Sequence, residues 1–553
     1  MGLAMSTPVD KMDGPYKRRW AALGVLCLSL LIIVMANTSL TVAAPDMVKD
    51  LGLGSSDLQW VIDGYTVPYA ALMLILGAVG DKYSRRGALV LGLLVFGSAS
   101  VAGSLVDSAS GVIAARAVMG IGAAMIMPAT LSLLAATFPR EERAKAITIW
   151  TATAGLAIAV GPLVAGALLE DHGWASTFLI NVPIAVVGIV GALLLVPPSK
   201  ASGVDKIDYI GGLLSVIWVG SLIYMIIEGP HFGWGTNAIV AAVVAGVGLV
   251  GFIVWELRHP RPVLDVRRFA ERAFAGSTLA VALFFLAVFG TFYYLTQHLQ
   301  FVLGYSALDT GIRMLPLAGA VFVGGAATAL LTPKVGMKVT VALGMTVGTV
   351  AIALLTRVDA NSTYDDFIWP LIILGLAIGL SLSPCTNAIM GSFPEDKLGV
   401  GGAVNSTSIE LGGSLGIAIL GTVLAKTYSS NLADAAAKTA AAGGPKLPEK
   451  ALSAAQDSVG AGLVVAKEVG KQVAAGAAPK VGAEKAAALG AQQAQSVVEA
   501  VHKAFADSVA HTSVVGAVIL GVGTVVVAVL LPRRASAAAA ASAEPERKVD
   551  EKV

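Results

Sequence analysis

Charge is scarce in this chain: only 13% of its 553 residues are Asp, Glu, Lys or Arg. Water-soluble domains carry about a quarter, so a fully solvated surface is excluded. Cysteine is scarcer still. Cys27 and Cys385 both lie inside apolar runs, where neither reads as a disulfide partner or a metal ligand, and the redox compartment stays open. No Gly-x-x-x-x-Gly-Lys loop occurs, which argues against ATP hydrolysis. No metal-ligand cluster and no nucleophile–base arrangement stands out. The chain is therefore expected to need no cofactor or metal, to bind no nucleic acid, and not to be an enzyme. A cleavable signal peptide is also missing from the expectation. The first apolar run follows Lys17-Arg18-Arg19 and continues to about Ala44, longer than a signal core.

What the chain has in excess is apolar length. It is 56% hydrophobic, with mean hydropathy +0.78 and 62 glycines. Glycine suits membrane helices that pack backbone to backbone. A span needs roughly 20 apolar residues. Candidates fall near 20–44, 57–80, 87–107, 111–137, 144–168, 175–197, 208–228, 236–256, 273–299, 309–332, 338–356, 366–390, 402–426 and 512–532. This predicts an all-α integral membrane protein of about fourteen spans.

The loops give the orientation. Lys11 to Arg19, Lys82/Arg85/Arg86, Arg140/Arg143/Lys145, Lys200/Lys206, Arg258 to Arg272, Lys334/Lys338 and Arg533/Arg534 fall on one side. The short loops opposite carry mostly Asp and Glu. Lys and Arg mark the cytoplasmic face, so both termini are expected inside the cell membrane. The reading divides the chain into a cytoplasmic tail (1–19), a six-helix half (20–197), an inserted helix pair (208–256), a second six-helix half (273–532) and a cytoplasmic tail (533–553). Within the second half, 428–511 is expected outside, as a surface hairpin, a cap or a gate over the outer vestibule. It is rich in Ala, Gly, Lys and Gln, with a helix-forming stretch at 483–505.

Ionisable residues inside spans are few, and each is a candidate functional site because a charge in lipid is costly. They are Asp63, Arg116 and Glu410, with Glu228 and Arg313 nearer helix ends. A carboxyl that alternates between wet and dry surroundings can take up and release a proton. Asp63 and Arg116 sit at similar depth, so an ion pair between them is one expectation. At the inner end of the second span, Gly77-Ala-Val-Gly-Asp81-Lys-Tyr-Ser-Arg85-Arg86 can form a charge latch or a plain membrane anchor. In the fifth span, Gly155-Leu-Ala-Ile-Ala-Val-Gly161-Pro162-Leu-Val-Ala-Gly166 combines small residues with a proline able to kink a helix. Taken alone, that face is packing.

Taken together these stretches resemble the major facilitator superfamily. The Gly77–Arg86 run is similar to that family's loop between helices two and three, with Ser84 where a glycine is usual. Arg116-Ala-Val-Met-Gly120 is similar to its helix-four motif, in which the arginine is implicated in proton transfer; Met119 replaces the usual glutamine. The Gly155–Gly166 run looks like the motif that marks antiporters. Leu58-Gln-Trp-Val-Ile-Asp63-Gly-Tyr65, Trp174-Ala-Ser-Thr-Phe-Leu-Ile-Asn181-Val-Pro183 and Ser408-Ile-Glu410-Leu-Gly412-Gly413 resemble the fourteen-helix drug:proton antiporter branch. The acid which that branch usually carries in helix one is Ala36 here, beside Asn37.

The resemblance implies a major facilitator fold. It also implies efflux of hydrophobic or amphipathic drugs, cations among them as an open option, against inward proton flow. Asp63, Arg116 and Glu410 are the expected proton-coupling residues. Gly77, Asp81, Arg85 and Arg86 are the expected latch, and Gly155, Gly161, Pro162 and Gly166 the antiporter motif. A midplane cargo site is expected between the halves, with Asn37, Tyr293 and Gln297 as contributors. In the run Phe292-Tyr293-Tyr294 at most one or two rings can point inward. Protons, lipid and small amphipathic molecules are the expected partners, with the single chain as the default assembly. Export of one antibiotic, lipid or metabolite is the narrower alternative. A non-transporting sensor or scaffold is the alternative from another class.

Overall fold

A computed structural model describes residues 16–51, 53, 55–201, 207–232, 234–441 and 447–532, and among these it contains helices and no strand. Among the described residues, fourteen helical segments are long and apolar enough to cross a membrane, the number expected from hydropathy. The tail residues 1–15 and 533–553 lie outside the described residues.

The first half holds α1 (Arg19–Leu51), α2 (Ser55–Asp63), α3 (Thr66–Tyr83), α4 (Arg85–Ser104), α5 (Ala109–Thr137), α6 (Arg140–Asp171), α7 (Ser176–Leu179) and α8 (Asn181–Leu195). The span expected at 57–80 is interrupted at Gly64-Tyr65, between α2 and α3. Ser84 lies between α3 and α4, and its side chain accepts a hydrogen bond from the Gly87 N–H at 2.9 Å. The residue that departs from the family pattern is thus a helix N-cap, a role serine fills well.

The inserted pair is α9 (Tyr209–Phe232) and α10 (Thr236–Arg258). An apolar contact of Val219, Ile223 and Ile227 with Ala70, flanked by Leu411, sets α9 against both halves at once. The second half holds α11 (Arg272–Gln297), α12 (Ala307–Val335), α13 (Met337–Leu354), α14 (Tyr364–Gly391), α15 (Leu398–Ala441), α16 (Glu449–Gln456), α17 (Val459–Val481) and α18 (Ala483–Leu530). Thr363 and Asp366 form a capping box that starts α14.

The described part of 428–511 is helical. α15 has 44 residues and α18 has 48, about 66 and 72 Å of helix. A hydrocarbon core is about 30 Å thick, so both project well beyond it, on the face opposite the N-terminus. α16 and α17 pack on the projection. The Tyr428 hydroxyl donates to the Ala455 carbonyl, and the Asn431 amide donates to Ser508 Oγ at 3.0 Å. His298 sits in a π-helical turn at the end of α11, fully buried, with its ring 5.0 Å from Phe367 and 6.2 Å from Phe505.

Candidate functional site

On the face that carries the N-terminus, the two halves meet at one carboxylate. Asp81 ends α3 almost fully buried and accepts the Arg85 Nε–H at 2.7 Å. Its other oxygen accepts the N–H groups of Gly399 and Val400, at 2.6 and 3.2 Å, in the first turn of α15. A helix start has unsatisfied N–H groups and a positive dipole end, so a carboxylate fits there. The approach depends on two glycines: a Cβ on Gly77 would stand 2.6 Å from the Gly399 carbonyl oxygen, and one on Gly399 would stand 2.7 Å from Asp81 Oδ2. Arg85 also donates to Ser199 Oγ at 3.1 Å, while Arg86 reaches the Val196 carbonyl at 3.2 Å within its own half. Gly77 and Asp81 therefore contact the second half, Arg85 supports Asp81, and Arg86 anchors locally. Two further contacts close this face. Thr148 Oγ1 lies 2.9 Å from Ser383 Oγ, and the position of a Cβ on Gly402 is 3.1 Å from the Pro128 carbonyl oxygen.

Deeper in the bundle lies Arg116, 0% exposed. Its Nε–H donates to the Val61 carbonyl at 3.0 Å, and Nη2 donates to the Ile62 carbonyl at 3.1 Å and to Asn37 Oδ1 at 3.0 Å. Its guanidinium stacks 4.5 Å from the Tyr65 ring centroid. The interruption between α2 and α3 is thus where the guanidinium finds backbone oxygens. Asp63, next along the chain, acts on Arg116 through its charge; the hydrogen bonds go to its neighbours. Asn37, named from sequence as a cargo contact, is a partner of Arg116.

Glu410 lies 12 residues into α15, about 18 Å along it. It is half-buried, in electrostatic range of Tyr65, in the interruption, and Tyr69, on α3. Among the described residues no Lys, Arg or His forms an ion pair with it. Gly412 and Gly413, just beyond, press α15 onto Ala282 and Phe289 of α11. Arg116, Tyr65 and Tyr69 stack in succession, 4.5 and 5.3 Å apart, with Glu410 acting on both tyrosines by charge from the second half. From sequence, Tyr65 stands out only as the last residue of the Leu58–Tyr65 motif, and Tyr69 not at all.

Of the aromatic run on α11, Tyr293 is 37% exposed and in electrostatic range of Asp63, while Phe292 and Tyr294 are buried. Tyr294 accepts a hydrogen bond from Ser513 at 3.0 Å, which ties α11 to α18. Gln297 donates to the Tyr293 carbonyl at 3.2 Å. Arg313 pairs with Asp309 at 3.1 Å and stacks 3.8 Å from the Tyr305 ring centroid, a cluster local to the start of α12.

The small-residue run on α6 lies between α1 and α12. A Cβ on Gly161 would overlap Thr38 Oγ1, whereas Gly155 and Gly166 have ordinary room, with their nearest atoms on Val321 and Leu308 at 3.5 and 3.4 Å. Gly161→Ala is expected to lower stability by about 2 kcal/mol through overpacking. Gly155→Ala should stay within about 0.5 kcal/mol. Thermal unfolding of the purified variants measures both, and equal melting temperatures would remove the distinction.

Comparison with known proteins agrees with this architecture. The Major Facilitator Superfamily matches residues 26–417. The chain belongs to the major facilitator superfamily. Among curated members of that superfamily, the multidrug efflux pump LfrA of Mycolicibacterium smegmatis is 31% identical over 93% of this chain and 97% of its own length. The puromycin resistance protein of Streptomyces alboniger is 33% identical over 78% of this chain and 87% of its own. The methyl viologen resistance protein SmvA of Salmonella typhimurium is 33% identical, covering 75% and 84%. Among solved major facilitator structures, a bacterial homologue of the human lysosomal transporter Spinster covers 92% of this chain and 98% of its own, with TM-score 0.54 at 17% identity.

Proposed function

We propose that this transporter exports hydrophobic and amphipathic drugs across the cell membrane in exchange for protons, by alternating access. The observation that carries the reading is Glu410, half-buried within a candidate span and without an ion-pair partner among the described residues, at the junction of the halves where Arg116 stacks on Tyr65 and Tyr65 on Tyr69. A half-buried carboxyl without an ion-pair partner can change its proton when its exposure to water changes. The drug and antibiotic resistance proteins among its relatives supply the substrate class.

The positive-inside rule assigns the N-terminal face to the cytoplasm. With that orientation, Asp81, Thr148–Ser383 and Pro128–Gly402 close the cytoplasmic side. Asp63, Tyr293 and Glu410 keep partial exposure. Asp63 and Arg116 steady the interruption between α2 and α3, and Tyr293 and Gln297 line the cargo path. Asn37 contributes through Arg116. Both termini lie inside, and the single chain is the working unit.

Purified protein in proteoliposomes is expected to accumulate a fluorescent amphipathic dye when a pH gradient is imposed. Accumulation should collapse when a protonophore is added. Dye movement at full rate without any gradient would overturn proton coupling. No movement of any dye or antibiotic in a broad panel would favour a non-transporting role, and movement of one compound alone would favour narrow export.

A further inference from the structure

The inserted pair carries two buried carboxyl groups that the transport cycle above does not use. Asp208 stands at the start of α9, where its Oδ1 accepts the Gly211 N–H at 2.8 Å. The indole N–H of Trp255 donates to both of its oxygens, at 3.0 and 2.9 Å. Asp208 thus caps the first turn of α9. Glu256, two residues before the end of α10, is 0% exposed. Its Oε2 accepts the Leu264 N–H at 3.1 Å, while Oε1 has no partner among the described residues. The two groups face each other over Gly211: a Cβ there would stand 2.5 Å from Glu256 Oε1 and 2.6 Å from Asp208 Oδ2.

Two negative charges in so dry a place repel strongly. A proton on Glu256 Oε1 removes one charge and makes the unpartnered atom a donor beside Gly211, the point that Asp208 Oδ2 also borders. Among the described residues, four groups set the surrounding field. Asp208 faces Glu256 from α9, and Lys397 and Asp265 act on it from the turns before α15 and α11. His259, just past α10, has Nδ1 3.5 Å from Asp208 Oδ2.

The connection between α10 and α11 leads from this pair to the latch. Leu264 is held by Glu256. The Pro262 carbonyl accepts the Lys397 ammonium at 2.7 Å. Arg268 donates to the Ser392 carbonyl and stacks 5.3 Å from the Phe393 ring centroid. Lys397 lies two residues before Gly399, whose N–H holds Asp81.

We propose that Glu256 and Asp208 form a proton-binding site, separate from the coupling residues, whose single shared proton fixes the 259–271 connection against the start of α15. The tie holds at low pH and is lost as pH rises, because the leaving proton exposes the two carboxylates to each other. With the N-terminal face in the cytoplasm, the site reads internal pH and adjusts the latch. The site itself is independent of the cargo and of the coupling chemistry.

The test is hydrogen exchange of the full chain in nanodiscs between pH 5.5 and 8.5, corrected for intrinsic rates, in peptides covering 259–271 and 395–402. Wild-type protection is expected to fall on the order of tenfold across that range. Glu256→Gln, whose amide can donate to Asp208 while its oxygen accepts from Leu264, should stay protected throughout. Asp208→Asn keeps the helix cap and should also flatten the response. His259→Gln should leave it intact. A flat wild-type profile overturns the proposal and needs no variant. So does an unchanged profile in Glu256→Gln, or loss of the response in His259→Gln. Rescue of protection at pH 8.5 by sodium but not by choline would replace the proton with a metal cation. None of these readouts involves transport, so failure here leaves the export reading standing.

Discussion

Asp81→Ala is expected to release the N-terminal face of the protein and to cut export about a hundredfold. The carboxylate satisfies Arg85 and two N–H groups of α15 at once. Removing one partner of a buried charge pair costs about 3–5 kcal/mol, since the other charge stays buried and unpaired. The Arg85 pair lies within one half and is lost in both states, whereas the two N–H bonds from Gly399 and Val400, together worth about 3 kcal/mol, are lost only from the state in which Asp81 meets α15. A difference of about 3 kcal/mol moves a two-state population by roughly a hundredfold. Spin labels on Tyr83→Cys and Asp396→Cys report the separation across this face. The wild type should give mainly the short distance and Asp81→Ala mainly a longer one. Asp81→Asn retains an acceptor and should fall between them. An unchanged distance distribution together with full export would reduce the latch to a membrane anchor.

That latch shows how the sequence is readable and where reading it stops. Gly77, Asp81 and Arg85 fall within nine residues, so their pattern is visible directly. The partners of Asp81 in the second half lie 318 and 319 positions away and are backbone N–H groups, which no residue type announces. Arg116 shows the same asymmetry. An arginine in a span stands out because it is costly there, yet two of its partners are carbonyls freed by the interruption after Asp63. A nearby acid is the natural guess from sequence, and Asp63 does act on the guanidinium, by charge.

Hydropathy located all fourteen candidate spans among the described residues because its signal is an average over about 20 residues. It located the ends of the last helices less well. The projecting part of α18 carries Glu484, Lys485, Glu499 and Lys503, which lower hydropathy without ending a helix. Glu256 escaped notice for a related reason. Two residues from Arg258, it looks like an interfacial group, and only the fold puts it at 0% exposure facing Asp208. Asp208-Tyr-Ile-Gly211 does carry the signature of a helix cap, which was the available clue.

Glu410→Gln is expected to abolish uphill export while leaving drug binding in place. Glutamine keeps the size and polarity of the side chain but cannot gain or lose a proton. Each pH unit is worth about 1.4 kcal/mol per proton, and each 100 mV about 2.3 kcal/mol per charge. One coupled proton at these forces sustains a gradient of a few hundredfold for a neutral drug. Without coupling the steady-state ratio should fall to about one, and drug exchange down its own gradient should continue. The contrast with Arg116 is physical. Its guanidinium is committed to Val61, Ile62 and Asn37, so its loss disturbs the helix interruption, whereas Glu410 has no ion pair to break among the described residues. A selective loss of the uphill component therefore separates proton coupling from structural damage, and a Glu410→Gln protein that still concentrates drug as well as the wild type would move the coupling site elsewhere, first to Asp63.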